Sequence, residues 1–394
     1  MKVISLEFLE KNTVWNLPKI EFDELTLLVG ASGVGKTKIL KALNNLRRLA
    51  LDKSINKRAD LFKWSLEFFE GGNFYKWSGE TEKPEESVYY LSDELSDAET
   101  INKPIITFER LVKFNLEKTV ETVIFNRINS EVQYEGEKVP KVSPTKSCIS
   151  IFSEDELLIP VKKAFQQLYF FDFEVDKRES FGLKLNLKKT EIKELDKYDN
   201  NTKQKALETV KEINAPIMAK LTVVYEIFPE FFERIKEDYI GIFNRVEDIR
   251  FFRHGADNDD ENYELQIKEF GSEWISFRDM SSGMLKSLLY LAYIYLTPNN
   301  SVIIIDEFEN SLGVNCIDIL TLNTINDSGM QFILTSHHPY IINKISMDYW
   351  KIVSREGNKV IVRDCSFYDL GKSKHEAFKQ LLNLTAFSEG REDY

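Results

Sequence analysis

Gly30-Ala31-Ser32-Gly33-Val34-Gly35-Lys36-Thr37 has the spacing GxxxxGK[ST], and that spacing has a chemical meaning. Three glycines let a backbone wrap a polyphosphate, so that its N–H groups and a following helix N-terminus point at the anion. Lys36 is placed to reach the outer phosphates, and the Thr37 hydroxyl to ligate Mg²⁺. The flanking pattern agrees. Leu25, Leu27, Leu28 and Val29 predict an apolar strand before the loop, and Ile39, Leu40, Leu43 and Leu46 predict one face of a helix after it.

Three further blocks carry polar chemistry. Val302-Ile303-Ile304-Ile305 reads as a strand buried on both faces, ending in Asp306-Glu307. Open α/β sheets place ligands at the carboxyl ends of their strands, where Asp306 could hold a metal ion and Glu307 could orient and deprotonate a water. Ser281, Ser282 and Gly283 precede an apolar helix beginning at Met284, with Ser281 as its N-cap. Read alone, that block is simply a cap. His337-His338 follows the strand Phe332 to Thr335, again a polar group at a strand end. A metal pair is a rival reading of the two histidines, although no cysteine or third ligand stands nearby at suitable spacing.

In this order the blocks resemble an ABC-type ATPase of the RecF/SMC branch. Within it the chain is similar to ATPase subunits of bacterial anti-phage systems: PtuA of Septu and retron systems, AriA of PARIS, and the ATPase half of OLD proteins. The likeness covers roughly residues 1–60 and 260–370. It implies an α/β ATPase head, with a mixed sheet around the phosphate loop, an antiparallel β subdomain, and ATP and Mg²⁺ as ligands. It further implies that two copies face each other. The phosphate loop (Gly30, Ala31, Ser32, Gly33, Val34, Gly35, Lys36, Thr37), Asp306, Glu307 and His337 of one copy then meet Ser281, Ser282 and Gly283 of the other. In that arrangement Lys36, Glu307 and His337 are catalytic, Thr37 and Asp306 hold the metal, and His337 senses the γ-phosphate. Asn310-Ser311-Leu312-Gly313 takes the place of the D-loop.

The chain also departs from the pattern. The usual Leu-Ser-Gly-Gly-Gln/Glu signature reads Met280-Ser281-Ser282-Gly283-Met284, and the loop carries Ser32 where the branch often has Asn. No glutamine fits the Q-loop. Gln133, Gln166 and Gln167 are candidates, and none has a clear strand-end context.

Bulk properties narrow the function classes. The chain has 394 residues, long enough for a sizeable core, and a net charge of −12, which opposes broad nonspecific DNA binding. Lys184, Lys188, Lys189 and Lys193 form a basic stretch, but Glu191, Glu194 and Asp196 accompany them, as on a solvated helix face. Three cysteines (Cys148, Cys316, Cys365) far apart read as reduced and cytoplasmic. The apolar run from Ser287 to Leu296 is too short to span a bilayer, and Glu7 and Glu10 oppose a signal peptide.

Three domains are expected: an N-terminal ATPase half at 1–150, a compact helical insert at 151–255 in place of a long coiled coil, and a C-terminal ATPase half at 256–394. Val3 to Phe8 and Ile20 to Val29 predict strands. Hairpins are predicted around Gly71-Gly72, Asn129-Ser130 and Glu356-Gly357-Asn358, with a further turn at Glu135-Gly136. Gly79 to Asp97 reads as an acidic surface loop. One helix is predicted over Glu154 to Leu168, kinked or restarted at Pro160, and two or three over Gln204 to Val246, interrupted by Pro216 and Pro229. Phe228, Phe231, Phe232 and Ile235 read as core or as a partner face. A last helix, Lys374 to Leu384, is expected to place Phe378, Leu381 and Leu382 on one face. Only 56 residues follow His338, too few for the nuclease domain of OLD proteins, and His254 and His375 stand alone.

The expected function is therefore an ATPase that dimerises around ATP and controls a separate nuclease or toxin, with no membrane. A RecF-like ATPase acting on DNA in repair or recombination is the alternative.

Overall fold

The computed structural model describes residues 1–53, 61–84, 104–171, 183–184, 200–213, 215–254, 262–308, 329–371 and 374–392. The predicted D-loop, most of the basic stretch, Cys316 and His375's side chain lie outside the described residues. The chain divides into two compact units. One comprises Met1–Phe170, Asn300–Asp306 and Met330–Tyr394; the other comprises Phe171–Asn299 and Glu307–Gly329.

The first unit begins with strands β1 (Lys2–Glu10), β2 (Trp15–Glu21) and β3 (Leu25–Val29), followed by helix α1 (Lys36–Ala50). Next come β4 (Phe62–Glu70), β5 (Asn73–Glu82), β6 (Ile105–Phe114), β7 (Glu121–Ile128), β8 (Glu131–Tyr134) and β9 (Glu137–Lys138). Two short helices, α2 (Cys148–Ile151) and α3 (Ile159–Gln166), lead to β10 (Leu168–Phe171).

The second unit carries β11 (Leu183–Lys184), helices α4 (Asn200–Glu212), α5 (Ile217–Ile227) and α6 (Pro229–Ile242), strands β12 (Val246–His254), β13 (Asn262–Glu269) and β14 (Trp274–Ser276), and helix α7 (Ser282–Leu296). The chain then returns to the first unit with β15 (Val302–Ile305), β16 (Gln331–Ser336), α8 (Pro339–Lys344), β17 (Trp350–Glu356), β18 (Lys359–Asp364), α9 (Lys374–Asn383) and α10 (Thr385–Ser388).

Among the described residues the first unit forms one sheet in the order β10-β15-β16-β3-β17-β18-β2-β1-β4-β5-β6-β7-β8-β9. Its centre is parallel: β15 with β16, β16 with β3, and β3 with β17. Every residue of β3, β15 and β16 is buried, which is why these strands read as mainly apolar, non-alternating runs. From β2 to β9 the pairing is antiparallel and the sequences alternate, as in FKWSLEFFE of β4. Helix α1 lays Ile39, Leu40, Leu43 and Leu46 into a core shared with Leu6, Phe68, Trp77 and Phe165. This is the mixed α/β head with an antiparallel β arm that the resemblance implied.

The predicted hairpins form at the predicted turns. Glu70 pairs with Asn73, Ile128 with Glu131, Tyr134 with Glu137 and Glu356 with Lys359. Asn200 to Ile242 forms three helices, as the prolines dictate, with Phe232 and Ile235 buried. Several expectations need correction. Gly79 to Glu82 belongs to β5, and the rest of the predicted loop that is not described starts at residue 85. Ile20 to Val29 is two strands, because the chain turns at Asp23 where its N–H bonds to Thr26 Oγ1.

The helix foreseen over Glu154 to Leu168 starts only at Ile159. Pro160 sits in the first turn, where its missing N–H costs nothing, and Leu168 already begins a strand. Strand β6 has no counterpart in the sequence reading. Besides its helices, the stretch expected as the insert contributes β11 and β12 to a small antiparallel sheet that β13 and β14 complete in the second unit. In α9, among the described side chains, Ala377 and Leu381 are buried, Phe378 is half-buried and Leu382 is exposed.

Candidate nucleotide-binding site

Parallel register decides what meets at the site. Ser336 pairs with Val29, and Leu334 pairs with both Leu27 and Ile305. Gly30, His337 and Asp306 therefore leave three neighbouring strands at the same edge, although they are far apart in sequence.

The loop is shaped by its surroundings as much as by its own residues. A Cβ on Gly30 would lie 2.3 Å from the backbone carbonyl oxygen of Val353 on β17. Gly35, at φ 117°, forms the N-terminal boundary of α1 and packs against Trp15 and Val360, each 3.2 Å from where a Cβ would stand. Gly30 excludes a side chain by clash with backbone, and at both positions the backbone adopts a conformation that L residues avoid. Ser32 and Gly33 are exposed at the loop's tip, Ala31 is half-buried, and Val34 is turned inward. Gly390, past α10, closes over Val34, since a Cβ there would come within 2.4 Å of Val34 Cγ1. The backbone N–H of Arg355 donates to the Gly390 carbonyl at 2.8 Å. Nothing in the sequence reading connected that last segment with the loop.

Lys36 is buried, and its ammonium donates to the carbonyls of Gly30 at 2.6 Å and Ala31 at 2.8 Å. Its positive charge is thus held inside the loop. Thr37 Oγ1 donates to Asp306 Oδ1 at 3.2 Å, and Thr335 Oγ1 donates to the same oxygen at 2.6 Å. Two hydroxyls and a carboxylate make an all-oxygen donor set, the kind that suits a hard divalent cation such as Mg²⁺. Thr335 was missed as a site residue. The only signal was its place two residues before His337, and its aim at Asp306 follows from strand register.

Glu307 is exposed and adopts a left-handed backbone, φ 47°. Such conformations are uncommon for a residue other than glycine and gather at functional sites. His337 is exposed after β16. His338 is committed elsewhere. Its Nδ1 accepts the Tyr340 N–H at 3.2 Å, capping α8, and its own N–H donates to Ser336 Oγ at 3.1 Å.

In the second unit, Ser281 caps α7 by accepting the Met284 N–H at 3.2 Å. Ser281 and Ser282 are exposed, and Gly283 is half-buried. The helix they open is apolar on almost all sides and buried from Leu285 to Leu296 apart from a few positions. Its N-terminal dipole end is therefore offered to the surface. Of the glutamines considered, Gln167 is occupied structurally: its side-chain Oε1 accepts from the N-terminal ammonium of Met1 at 3.0 Å. Cys148 and Cys365 are buried and free, and burial raises both thiols, Cys365 to about 11.

A glycine loop between β3 and α1, an acid at the end of a neighbouring parallel strand and oxygen ligands converging on that acid define a P-loop ATPase domain. The chain belongs to the family described as AAA domain, putative AbiEii toxin, Type IV TA system, which it matches over residues 25–343. No curated protein matches the sequence. Among solved structures it is similar to an Smc head bound to the C-terminal winged-helix domain of ScpA, at 13% identity over 94% of this chain and 99% of that one, TM-score 0.47. It is also similar to an Smc head with an extended coiled coil bound to the C-terminal domain of ScpA, derived from Pyrococcus furiosus. That match has 13% identity over 93% and 98% of the two chains, TM-score 0.41. Among the described residues no helix is long and apolar enough to cross a membrane.

Proposed function

We propose that this chain binds ATP with Mg²⁺, pairs with a second copy around the nucleotide, hydrolyses it, and thereby controls a separate effector in bacterial defence. The observation that carries the reading is the convergence of Thr37 and Thr335 on Asp306 Oδ1 beside the glycine loop. Bound there, Mg²⁺ would neutralise phosphate charge and polarise the phosphate to be transferred.

The chain's own residues do the rest. The loop N–H groups from Ala31 to Thr37 cradle the phosphates, and Lys36 turns its ammonium from two loop carbonyls to the outer phosphates. Glu307 orients the attacking water and accepts its proton, while His337 contacts the phosphate being released. Ser281, Ser282 and Gly283 present the dipole end of α7 to the γ-phosphate of the partner's nucleotide. The buried, free cysteines support a reducing, cytoplasmic setting. The family's description as a toxin of a toxin–antitoxin system supports a defence role. The net charge of −12 favours a protein effector over DNA.

The test compares Glu307→Gln and Lys36→Ala by sedimentation with and without ATP. Glu307→Gln should accumulate an ATP-dependent dimer that does not turn over, and Lys36→Ala should stay monomeric. Identical behaviour of the two would reject the ATP-clamped dimer. Affinity purification of Glu307→Gln with ATP should then bring down a stoichiometric nuclease or toxin. DNA without a protein partner would support the repair reading instead, and growth arrest by this chain alone would make it its own effector.

A further inference from the structure

Val34 ties the phosphate loop to the core. It is 5% exposed and packs in the cluster that holds Ile39, Leu43 and Phe68. As a β-branched residue it has little rotamer freedom there. One of its methyls, Cγ2, stands 3.5 Å from where a Cβ on Gly30 would lie. The other, Cγ1, lies directly against buried Gly390, whose φ of 74° also favours glycine. A side chain at Gly390 would have to displace Val34, and with it the loop.

The segment that carries Gly390 is fastened to β17. The N–H groups of Glu389 and Arg391 donate to the Thr385 carbonyl at 2.9 and 3.4 Å, so the chain turns tightly out of α10. The Arg355 N–H donates to the Gly390 carbonyl at 2.8 Å. Two residues on, the Glu392 carboxylate accepts from the hydroxyl of fully buried Ser354. It also accepts from the Tyr368 hydroxyl, at 2.9 Å to one oxygen and 3.0 Å to the other. Bonds to an ionised acceptor are the stronger kind. Three successive residues of β17 thus set both walls around Val34. The Val353 carbonyl limits Gly30, while Ser354 and Arg355 hold Glu392 and Gly390.

We propose that residues 385–392 form a strap that fixes the phosphate-binding shape of the loop by bearing on Val34, with Glu392 as the positioning residue that ties the strap to β17. The inference rests on the reading of residues 30–37 as a phosphate cradle given above. Lys36 tethers the loop from inside, through the Gly30 and Ala31 carbonyls, and gives up that tether when it turns to the phosphates. The strap acts from outside and makes no use of Lys36, so it holds the loop with nucleotide bound as well. A loop that keeps its binding shape only a tenth of the time binds its ligand tenfold more weakly.

The experiment measures the affinity of a fluorescent ATP analogue, with steady-state KM and kcat, at a temperature where circular dichroism shows every variant folded. Glu392→Ala should raise the Kd and KM by about five- to thirtyfold. The kcat at saturating ATP should stay within about twofold, because a strap that governs binding shape moves KM, whereas loss of a catalytic group moves kcat. Glu392→Gln keeps Oε1 as acceptor for both hydroxyls and should bind within about threefold of wild type. Gly390→Ala should weaken binding at least as far as Glu392→Ala. Added to Val34→Ala, which removes the methyl in its way, Gly390→Ala should weaken binding by no more than about threefold further. That pair decides the matter if Glu392→Ala does not fold.

Analogue affinity within twofold of wild type in folded Glu392→Ala would overturn the strap, as would equal losses from Gly390→Ala with and without Val34→Ala. Wild type that binds no analogue would instead overturn the phosphate-cradle reading and this inference with it, so the two failures are distinguishable.

Discussion

Thr335→Val tests the candidate metal site most directly. Valine has threonine's shape, and Thr335 is fully buried, so packing is preserved while one hydroxyl is lost. That hydroxyl donates to Asp306 Oδ1 at 2.6 Å, a short bond to a carboxylate. Hydrogen bonds to charged groups contribute about 1.5–3 kcal/mol, and at about 1.4 kcal/mol per decade that is roughly a ten- to hundredfold effect. Partners that orient a metal-ligating carboxylate usually cost the same range when removed, about 10–100-fold. The Mg²⁺ concentration giving half-maximal phosphate release should therefore rise by about that factor. Asp306 is half-buried and keeps its bond from Thr37, so water can replace part of what is lost and the fold should survive. Binding of a fluorescent ATP analogue in chelator depends on the loop and Lys36, and should stay within about twofold of wild type. Thr335→Ser should recover most of the Mg²⁺ response. If Thr335→Val shows the wild-type Mg²⁺ dependence, the oxygen cluster around Asp306 is not the metal site, and the reasoning from strand register to chemistry fails.

Two stability predictions follow from other parts of the molecule. Gly30→Ala forces a methyl to within 2.3 Å of the Val353 carbonyl at a φ of 151°, so β3 and β17 must separate. Overpacking and backbone strain each cost about 1–3 kcal/mol, so a clear fall in the urea midpoint is expected, along with lost nucleotide binding. Lys220 is buried on α5, with its ammonium donating to the carbonyls of Lys211 at 2.5 Å and Leu296 at 3.4 Å, and burial lowers its pKa to about 8. The unfolded chain then binds more protons than the folded one between about pH 8 and the ordinary lysine value near 10.4, so this group makes stability rise with pH across that window. Below pH 8 both states are protonated and the folded state bears the full cost of the buried charge. Lys220→Met should flatten that rise in a series of urea titrations, and an unchanged slope would reject a depressed pKa.

The phosphate loop, the Asp306-Glu307 strand end, the Ser281 cap and most hairpins were legible in the sequence because each is local. A glycine spacing, an apolar run or a two-residue turn states its conformation within a few positions, and burial on both faces leaves β15 wholly apolar and β3 and β16 with apolar centres. The late start of helix α3 was only one of two readings of Pro160, and strands β12 to β14 had no counterpart in the sequence reading. Where local signals do not decide, packing of side chains on neighbouring strands does.

What only the tertiary structure decided is which distant groups touch. Thr335 faces Asp306 because β16 pairs in register with β15, and Gly30 must be glycine because β17 brings a carbonyl against it. Gly390 closes on Val34, and Phe308 meets Tyr290, across spans of sequence that carry no mark of either contact. A chain encodes local conformation in neighbouring residues, but strand order and register are settled only when the whole core is buried at once. The chemistry of this site depends on both.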